Sequence, residues 1–449
     1  MDKKENKKIL KLLISVGLPI AIQNLLGNGV NLLDNFMVAN ISEDALSAVS
    51  MANKSYFIFA LLLFGLISGI GIFSAQYFGN KEYDKIHSLV GLGLILATSF
   101  ALLTTITIFI FPSQTVRIFM KDEKIVQMGA DYLKIAVFSF IPTAISIVYQ
   151  VNLRSIRMTK IPMLTSAIAV FINGFFNYVL IFGKLGLPAM GIKGAALATV
   201  IARYAELIIV LSFIYKGKDN PLKAKFKDYF NFNKDMISSV LTRSLPVILQ
   251  EGLWAIGTSV YFVAYGKLSS SSVAAVQISL TTMDIFISLF IGLGAGAGVL
   301  IGNLLGEKKV EKAWYYSKRI IFYQIILSLP ITLLYVLLAS KMLPFLNFTD
   351  ESTDLTLKTI YTLGAYLPIK CMNFLFIVGI LRGGGDTKFN MLIETLSVWL
   401  IGVPMAFFSV IVLQLPVYYC LALVSLEEVA KLTLSILRYR SRKWINVLV

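Results

Sequence analysis

The chain has 449 residues, of which 57% are hydrophobic and only 15% are charged, and its formal net charge is +16. Soluble domains carry about 25% charged residues, so this composition excludes a water-soluble globule. The basic residues lie between long apolar runs and not on one aromatic-rich face, which excludes a nucleic-acid-binding protein. Cys371 and Cys420 lie in apolar stretches without CxxC spacing and indicate neither a disulfide framework nor a metal site.

The apolar runs predict twelve membrane-spanning helices, because about 20 apolar residues are needed to cross a bilayer. Polar residues at the ends of the first and last runs make the limits of these two spans the least defined. The sequence thus predicts an all-α integral membrane protein. In chain order, the predicted spans are 12–39, 51–77, 89–111, 129–153, 161–183, 194–215, 239–266, 274–305, 319–340, 357–381, 390–413 and 416–437.

The loops differ strongly in their content of lysine and arginine. The two tails and every second loop carry 27 of these residues, whereas the loops on the opposite side carry 8. Because basic loops stay on the cytoplasmic side, both termini are expected in the cytoplasm. The even number of predicted spans agrees with this, because it places both termini on one side of the membrane. The plasma membrane is the expected location.

The two halves of the sequence repeat each other. LPIAIQ at 18–23 resembles LPVILQ at 245–250, an offset of 227 residues, and Gly65 and Gly69 meet Gly292 and Gly296 at the same offset. Six spans separate matched positions, so the halves share their orientation. We therefore expect two pseudo-two-fold-related six-helix bundles with a central cleft. The predicted bundles are 1–215 and 237–449, joined by a cytoplasmic basic linker at 216–236.

Four segments give the chain a family resemblance. It resembles the multidrug and toxic compound extrusion (MATE) family, within the superfamily that also holds lipid-linked oligosaccharide flippases. The resemblance covers essentially the whole chain and is specific for the family, but it says little about the substrate. The segments are LFGLISGIGIFSAQYFGNKEYDK at 63–85, FINGFFNYVLIFGKLGLPAMGIKGAALAT at 171–199, GLGAGAGVLIGNLLGEKK at 292–309 and ILRGGGDTK at 380–388.

Asp34 is the first ionisable residue inside a span, and such residues are costly enough to be candidate functional groups. It lies toward the outer end of span one, beside a stripe of amides on one helix face: Asn24, Asn28, Asn31 and Asn35. Amides facing lipid are unfavourable, so this face is expected to line a cavity or contact another helix. Asp34 is either a group that exchanges a proton for a cation or drug, or a structural hydrogen-bond anchor.

The resemblance implies a cation site around this carboxylate. In the family, the carboxylate on span one joins polar groups on spans five and six, and the matching positions here are Asn173, Asn177 and Thr199. Relatives commonly carry an aspartate at the position of Asn177, so one negative charge is missing and a lower cation affinity is expected. A sodium site at Asp34 and these three residues is the implied metal site. No cofactor other than the coupling ion, a proton or sodium, is expected.

The second half also carries ionisable residues within its spans. The resemblance assigns Glu251, on span seven, to cation coupling, and the alternative is a buried glutamate paired with a basic side chain. Asp284 and Lys370 are possible cavity charges, together with Asn31 and Asn35. Lys370 either pairs with Asp284 or Glu251, or repels cationic substrates.

Helical spacing predicts further structural ion pairs. Arg203 and Glu206 are three residues apart on span six, and Glu427 and Lys431 are four apart on span twelve, with Glu428 alongside. Glu394, near the cytoplasmic end of span eleven, is expected to pair with Arg382 or Lys388.

The resemblance implies a secondary active multidrug exporter of amphipathic or cationic organic compounds, in antiport with protons or sodium by alternating access. The expected partners are small organic substrates and the lipid bilayer, not nucleic acid, and the chain is expected to function as a monomer. A flippase of lipid-linked oligosaccharides or other lipids is the alternative, although such relatives tend to have more spans and a cavity lined by arginine. The absence of HExxH, GxSxG and Walker motifs argues against an enzyme or an ATP-driven pump.

Overall fold

The chain is α-helical in a computed structural model that describes residues 3–217, 220–345 and 349–449. The helices of the first half are α1 (Lys3–Ala39), α2 (Glu43–Asn80), α3 (Tyr83–Ile110), α4 (Pro112–Arg117), α5 (Glu123–Ala136), α6 (Phe140–Ser155), α7 (Lys160–Phe182) and α8 (Ile192–Lys216). Those of the second half are α9 (Lys234–Tyr265), α10 (Ser270–Gly306), α11 (Val310–Met342), α12 (Asp350–Phe374), α13 (Thr387–Ser397), α14 (Val403–Phe407), α15 (Val417–Val424) and α16 (Leu426–Arg440).

Eleven continuous helical segments in the described part of the chain are long and apolar enough to cross a membrane. They correspond to the first eleven predicted spans, and most extend a few residues beyond the predicted ends, because a helix continues past its apolar core into polar residues. Two spans combine shorter helices, since α5 continues into α6 and α13 into α14. The predicted span 416–437 is different, because it consists of α15 and α16, which meet at Ser425.

The described residues of the carboxy-terminal half include three stretches of π-helix. They cover Leu375–Leu381 after α12, Val398–Gly402 after α13 and Phe408–Val412 after α14. A π-helical turn accommodates an extra residue in the helix and is frequent at functional sites. Sequence periodicity did not predict these stretches, because an inserted residue shifts the helical register without leaving an apolar pattern of its own.

The helices form two compact units. One consists of residues 1–21 and 245–449, and the other of residues 22–244. Helices α1 and α9 each contribute residues to both units, because the division falls within them. The bundle boundaries predicted from the sequence, at 215 and 237, stay a prediction.

The predicted linker folds against α3 and is not a free connection. Ser88 Oγ donates a hydrogen bond to the Asn231 carbonyl oxygen at 2.8 Å, and the Tyr229 backbone approaches Gly91 so closely that no Cβ would fit there. Tyr229 is itself buried, in the short helical turn Phe226–Phe230. Lys218 and Asp219 of this predicted linker lie outside the described residues.

Glycines of α10 allow close helix packing within the first of these units. A Cβ added at Gly296 would lie 2.8 Å from the Gly17 Cα of α1, and one added at Gly298 would lie 3.0 Å from the Gly379 carbonyl oxygen. Small residues at such positions let membrane helices approach each other closely. This close packing explains why span eight carries glycine at these positions.

Replacement of Gly296 by alanine is therefore expected to lower the free energy of unfolding by about 1–3 kcal/mol, because the added methyl group forces α1 and α10 apart. The measurement is the melting temperature of the purified protein in detergent. Gly252→Ala is the control, since a Cβ at Gly252 meets nothing within 4 Å. The control should be neutral or slightly stabilising, because alanine favours a helix over glycine. Equal destabilisation by both substitutions would contradict the packing argument.

Candidate cation site

An open cavity lies within the unit of residues 22–244, with about 450 Å³ of atom-free space that includes its mouth. Helices α1, α2, α5 and α8 supply most of its wall, and the start of α6 completes it. The lining is mixed, with one carboxylate, one guanidinium, two tyrosines and several apolar side chains. The lining residues are Val30, Asn31, Asp34, Ala52, Asn53, Tyr56, Tyr132, Leu133, Ala136, Ser139, Phe140, Thr199 and Arg203.

Asp34 is the carboxylate of this cavity and is only 8% exposed. Asn177 Nδ2 donates a hydrogen bond to Asp34 Oδ1, and it also lies 3.2 Å from Asn173 Oδ1. Asn173 and Asn177 are four residues apart on α7 and thus lie on one face. Thr199 lines the same cavity from α8. The structure therefore brings together the four residues of the cation site that the family resemblance implies.

Two buried amide atoms at this site have no hydrogen-bond partner in the described part of the chain. They are Asn177 Oδ1 and Asn173 Nδ2, on side chains that are 0% and 2% exposed. Buried polar atoms are nearly always paired, so unpaired ones mark places where a ligand or a proton could enter. A free amide oxygen beside a carboxylate can contact a small cation, or accept a hydrogen bond from a protonated carboxyl group.

The sequence did not predict four other polar residues of the cavity, Asn53, Tyr56, Tyr132 and Ser139. Tyr132 OH donates to Asn53 Oδ1 at 3.2 Å, and Tyr56 lines the wall beside them. Spans two and four carry no stripe of amides like the one on span one, so no such signal marked these residues.

Arg203 was predicted only as a partner of Glu206. Arg203 Nη1 does donate to Glu206 Oε2 at 2.8 Å, but the same side chain also lines the Asp34 cavity. One signal was present in the sequence, because Arg203 lies one helical turn after Thr199 and thus on the same face of α8. Of the amide stripe on α1, Asn31 lines the cavity, whereas Asn35 does not.

The predicted charges of the second half lie in the other unit. Arg382 Nη2 lies 3.2 Å from Glu251 Oε1, which is the paired arrangement left open from the sequence. Lys370 Nζ lies 4.0 Å from Glu428 Oε1, a partner that the sequence did not suggest. Asp284 is exposed within this unit and is an electrostatic neighbour of Lys370.

Lys431 forms the centre of a buried charge cluster in this unit. Its ammonium nitrogen lies 3.3 Å from Glu427 Oε1, 3.4 Å from Glu394 Oε1 and 3.6 Å from Glu428 Oε1. Lys431 is only 2% exposed. We call these four residues the Lys431 cluster. Glu394 thus pairs with Lys431, and not with Arg382 or Lys388 as its position suggested.

Neutral donors complete the cluster at the second oxygen of each carboxylate. Gln250 Nε2 lies 3.3 Å from Glu394 Oε2, Asn373 Nδ2 lies 2.7 Å from Glu428 Oε2, and Tyr261 OH donates to Glu427 Oε2. The three carboxylates therefore share the single ammonium of Lys431, and each also accepts a hydrogen bond from one neutral side chain. Three carboxylates around one ammonium leave a surplus of negative charge, which Lys370 reduces.

Comparison with known families decides the identity of the chain. The family model described as MatE matches residues 19–179 and 246–408, together more than half of the chain. The chain belongs to the MATE family. The two matched segments begin 227 residues apart, at 19 and 246, which is the offset of the repeat found in the sequence.

Relatives of this MATE protein match it over nearly its whole length. It is 24% identical to the "Probable multidrug resistance protein NorM" of Thermotoga maritima, over 99% of this chain and 95% of the relative. Its fold is similar to that of a MOP superfamily transporter from Pyrococcus furiosus, with a TM-score of 0.87, 17% identity and coverage of 96% and 95%. The fold is equally similar to the solved structure of an outward-facing multidrug resistance MATE family transporter, with the same TM-score, identity and coverage. The chain is accordingly an all-α, multi-pass membrane transporter with the twelve-helix architecture of this family.

Proposed function

We propose that this MATE protein is a secondary active multidrug exporter. It moves amphipathic, often cationic, organic compounds in antiport with protons or sodium, by alternating access. The observation that carries the proposal is the buried Asp34 carboxylate in a cavity, with Asn177 as donor and an unpaired amide oxygen beside it. The names of NorM from Thermotoga maritima and of the outward-facing MATE transporter both refer to multidrug resistance, which supports the same class of activity.

The coupling ion is proposed to bind at Asp34, with Asn173, Asn177 and Thr199 as neutral oxygen ligands. One carboxylate and three neutral groups suit a single positive charge, and hard oxygen ligands suit either a proton or sodium. An ion drives transport only if it binds one conformational state better than the other. Glu251 is proposed as a second coupling carboxylate, where the incoming ion competes with Arg382.

The organic substrate is proposed to enter the same cavity. Its wall combines apolar side chains with the rings of Tyr56, Tyr132 and Phe140. Aromatic faces attract organic cations, and the apolar side chains of the mixed wall can contact the hydrocarbon part of such a compound. Substrate and ion would then compete for Asp34, which is the basis of an exchange.

The orientation and assembly are proposed from the charge pattern. The 27 basic residues on one side against 8 on the other favour cytoplasmic termini in the plasma membrane. The protein is proposed to act as a monomer, with no cofactor beyond the coupling ion.

Ethidium transport in proteoliposomes tests the proposal. The purified wild-type protein is reconstituted, and a proton gradient and a sodium gradient are imposed separately. Gradient-driven ethidium movement that stops when an ionophore collapses the gradient is the expected result, and the effective gradient names the ion. Wild-type protein that moves no ethidium with either gradient would overturn the proposal. Transport of lipid-linked substrates would then be measured next, because a flippase is the alternative within the superfamily.

A further inference from the structure

Arg203 lies between two carboxylates. Its Nη1 donates to Glu206 Oε2 at 2.8 Å, and its side chain lines the cavity that contains Asp34. Asp34, Glu206 and Arg203 therefore share a small buried region, and Arg154 is a second guanidinium in electrostatic contact with Glu206. A guanidinium carries five donors in a planar fork and can pair with either carboxylate.

Glu206 does not depend on Arg203 for all its hydrogen bonds. Glu206 Oε1 accepts from Gln150 Nε2 at 3.1 Å and from Ser166 Oγ at 2.8 Å. Glu206 is only 3% exposed, so these neutral donors are needed if the guanidinium moves away. With two donors in place, Glu206 can keep its charge while Arg203 turns toward the cavity.

Asp34 has an oxygen available for Arg203. The hydrogen bond from Asn177 uses Asp34 Oδ1, and no hydrogen bond to Oδ2 occurs within the described ranges. The other titratable groups that line the cavity are Tyr56 on α2 and Tyr132 on α5. In the lining of this cavity, Arg203 is thus the positive side chain that can balance Asp34 when no ion is bound.

We propose that Arg203 is the resident counter-cation of the Asp34 site and competes there with the coupling ion. When the site holds no ion, Arg203 pairs with Asp34 and lowers the cost of a buried carboxylate. When a proton or sodium ion neutralises Asp34, Arg203 returns to Glu206. Arg203 is therefore a positioning and specificity-determining residue, which sets how much proton or sodium is needed to fill the site. This inference rests on the proposed exchange of an ion at Asp34.

The two members of the pair should have opposite effects when each is neutralised. Glu206→Gln frees Arg203 to remain on Asp34, so the proton or sodium activity needed for half-maximal ethidium transport should rise about tenfold or more. Arg203→Gln removes the competitor, so the required ion activity should fall by a similar factor. The maximal rate should also fall in Arg203→Gln, because the ion leaves Asp34 more slowly. Arg203→Lys keeps the charge and should lie closer to wild type.

Asp386→Asn is the matched control. Asp386 Oδ2 lies 2.7 Å from Arg438 Nε in the other unit, and the two side chains are 10% and 23% exposed, against 4% and 27% for Glu206 and Arg203. The Asp386→Asn substitution removes a comparable acid–arginine pair that has no part in the cavity. The ion activity needed for half-maximal ethidium transport should therefore stay unchanged. Shifts in the same direction for Glu206→Gln and Arg203→Gln, or no shift in either, would overturn the inference.

A second measurement separates this inference from the proposed function. Infrared spectroscopy of the purified protein follows the protonated Asp34 carboxyl group, whose band is assigned by its loss in Asp34→Asn. Protonation should require a lower pH in Glu206→Gln and a higher pH in Arg203→Gln than in wild type. This order is expected whether or not ethidium is transported, and the absence of opposite shifts would refute the role of Arg203. Loss of wild-type ethidium transport alone would refute only the exporter proposal.

Discussion

Asp34→Asn is expected to reduce gradient-driven export to the rate measured without a gradient, while the protein stays folded. Asparagine cannot take up a proton at this position, and it offers no negative charge to sodium or to an organic cation. The site would then bind the ion equally poorly in every conformational state, so the gradient could no longer shift the equilibrium between them. The measurement is ethidium movement in proteoliposomes under each imposed gradient.

The fold should tolerate this substitution because asparagine has nearly the shape of aspartate. Asn177 Nδ2 can still donate to the Oδ1 atom at position 34, and Arg203 keeps its partner Glu206. We therefore expect the free energy of unfolding to change by only about 1 kcal/mol. The melting temperature in detergent checks this point on the same preparations.

Asp131→Asn is the control for this experiment. Asp131 lies in the same unit, but its side chain is 31% exposed and its Oδ2 atom pairs with Lys193 Nζ at 3.2 Å. Transport should stay at the wild-type rate. If Asp34→Asn transports as fast as the control variant, Asp34 is a structural anchor and not the coupling group.

Lys431→Met is expected to destabilise the protein by about 3–5 kcal/mol, the range observed when one partner of a buried ion pair is removed. Methionine leaves Glu394, Glu427 and Glu428 close together without the ammonium that all three share. The neutral donors Gln250 and Asn373 remain, but they carry no charge to offset the repulsion. The melting temperature and the yield of folded protein in detergent measure the effect.

Removal of one carboxylate should have a much smaller effect than removal of the ammonium. Glu427→Gln reduces the negative surplus around Lys431, so its effect should be mild. Lys358→Met is the surface control: Lys358 Nζ lies 2.6 Å from Asp354 Oδ2, but the two side chains are 46% and 56% exposed. Such exposed pairs contribute about 0–1 kcal/mol. If Lys431→Met costs no more than Lys358→Met, the Lys431 cluster is not a structural element of this unit.

Much of the fold was predictable because membrane insertion depends on local composition. Each apolar run must satisfy its own backbone hydrogen bonds in lipid, so a long run becomes a helix whatever surrounds it. The first eleven predicted spans correspond to helices for this reason. The twelfth region is harder to predict, because Glu427, Glu428 and Lys431 interrupt its apolar pattern and their cost is offset only by tertiary partners.

The sequence by itself determined the membrane class and the internal repeat, and the family resemblance implied that Asp34 meets Asn173, Asn177 and Thr199 at one site. Hydropathy, the 227-residue offset and the family segments carry this information along the chain. Only the tertiary structure decided which charges pair. Arg382 lies on Glu251, Glu394 joins Lys431, and Arg203 reaches the cavity as well as Glu206. Spacing predicts partners on one helix, whereas partners on different helices depend on how each helix is rotated and packed, which no local pattern encodes.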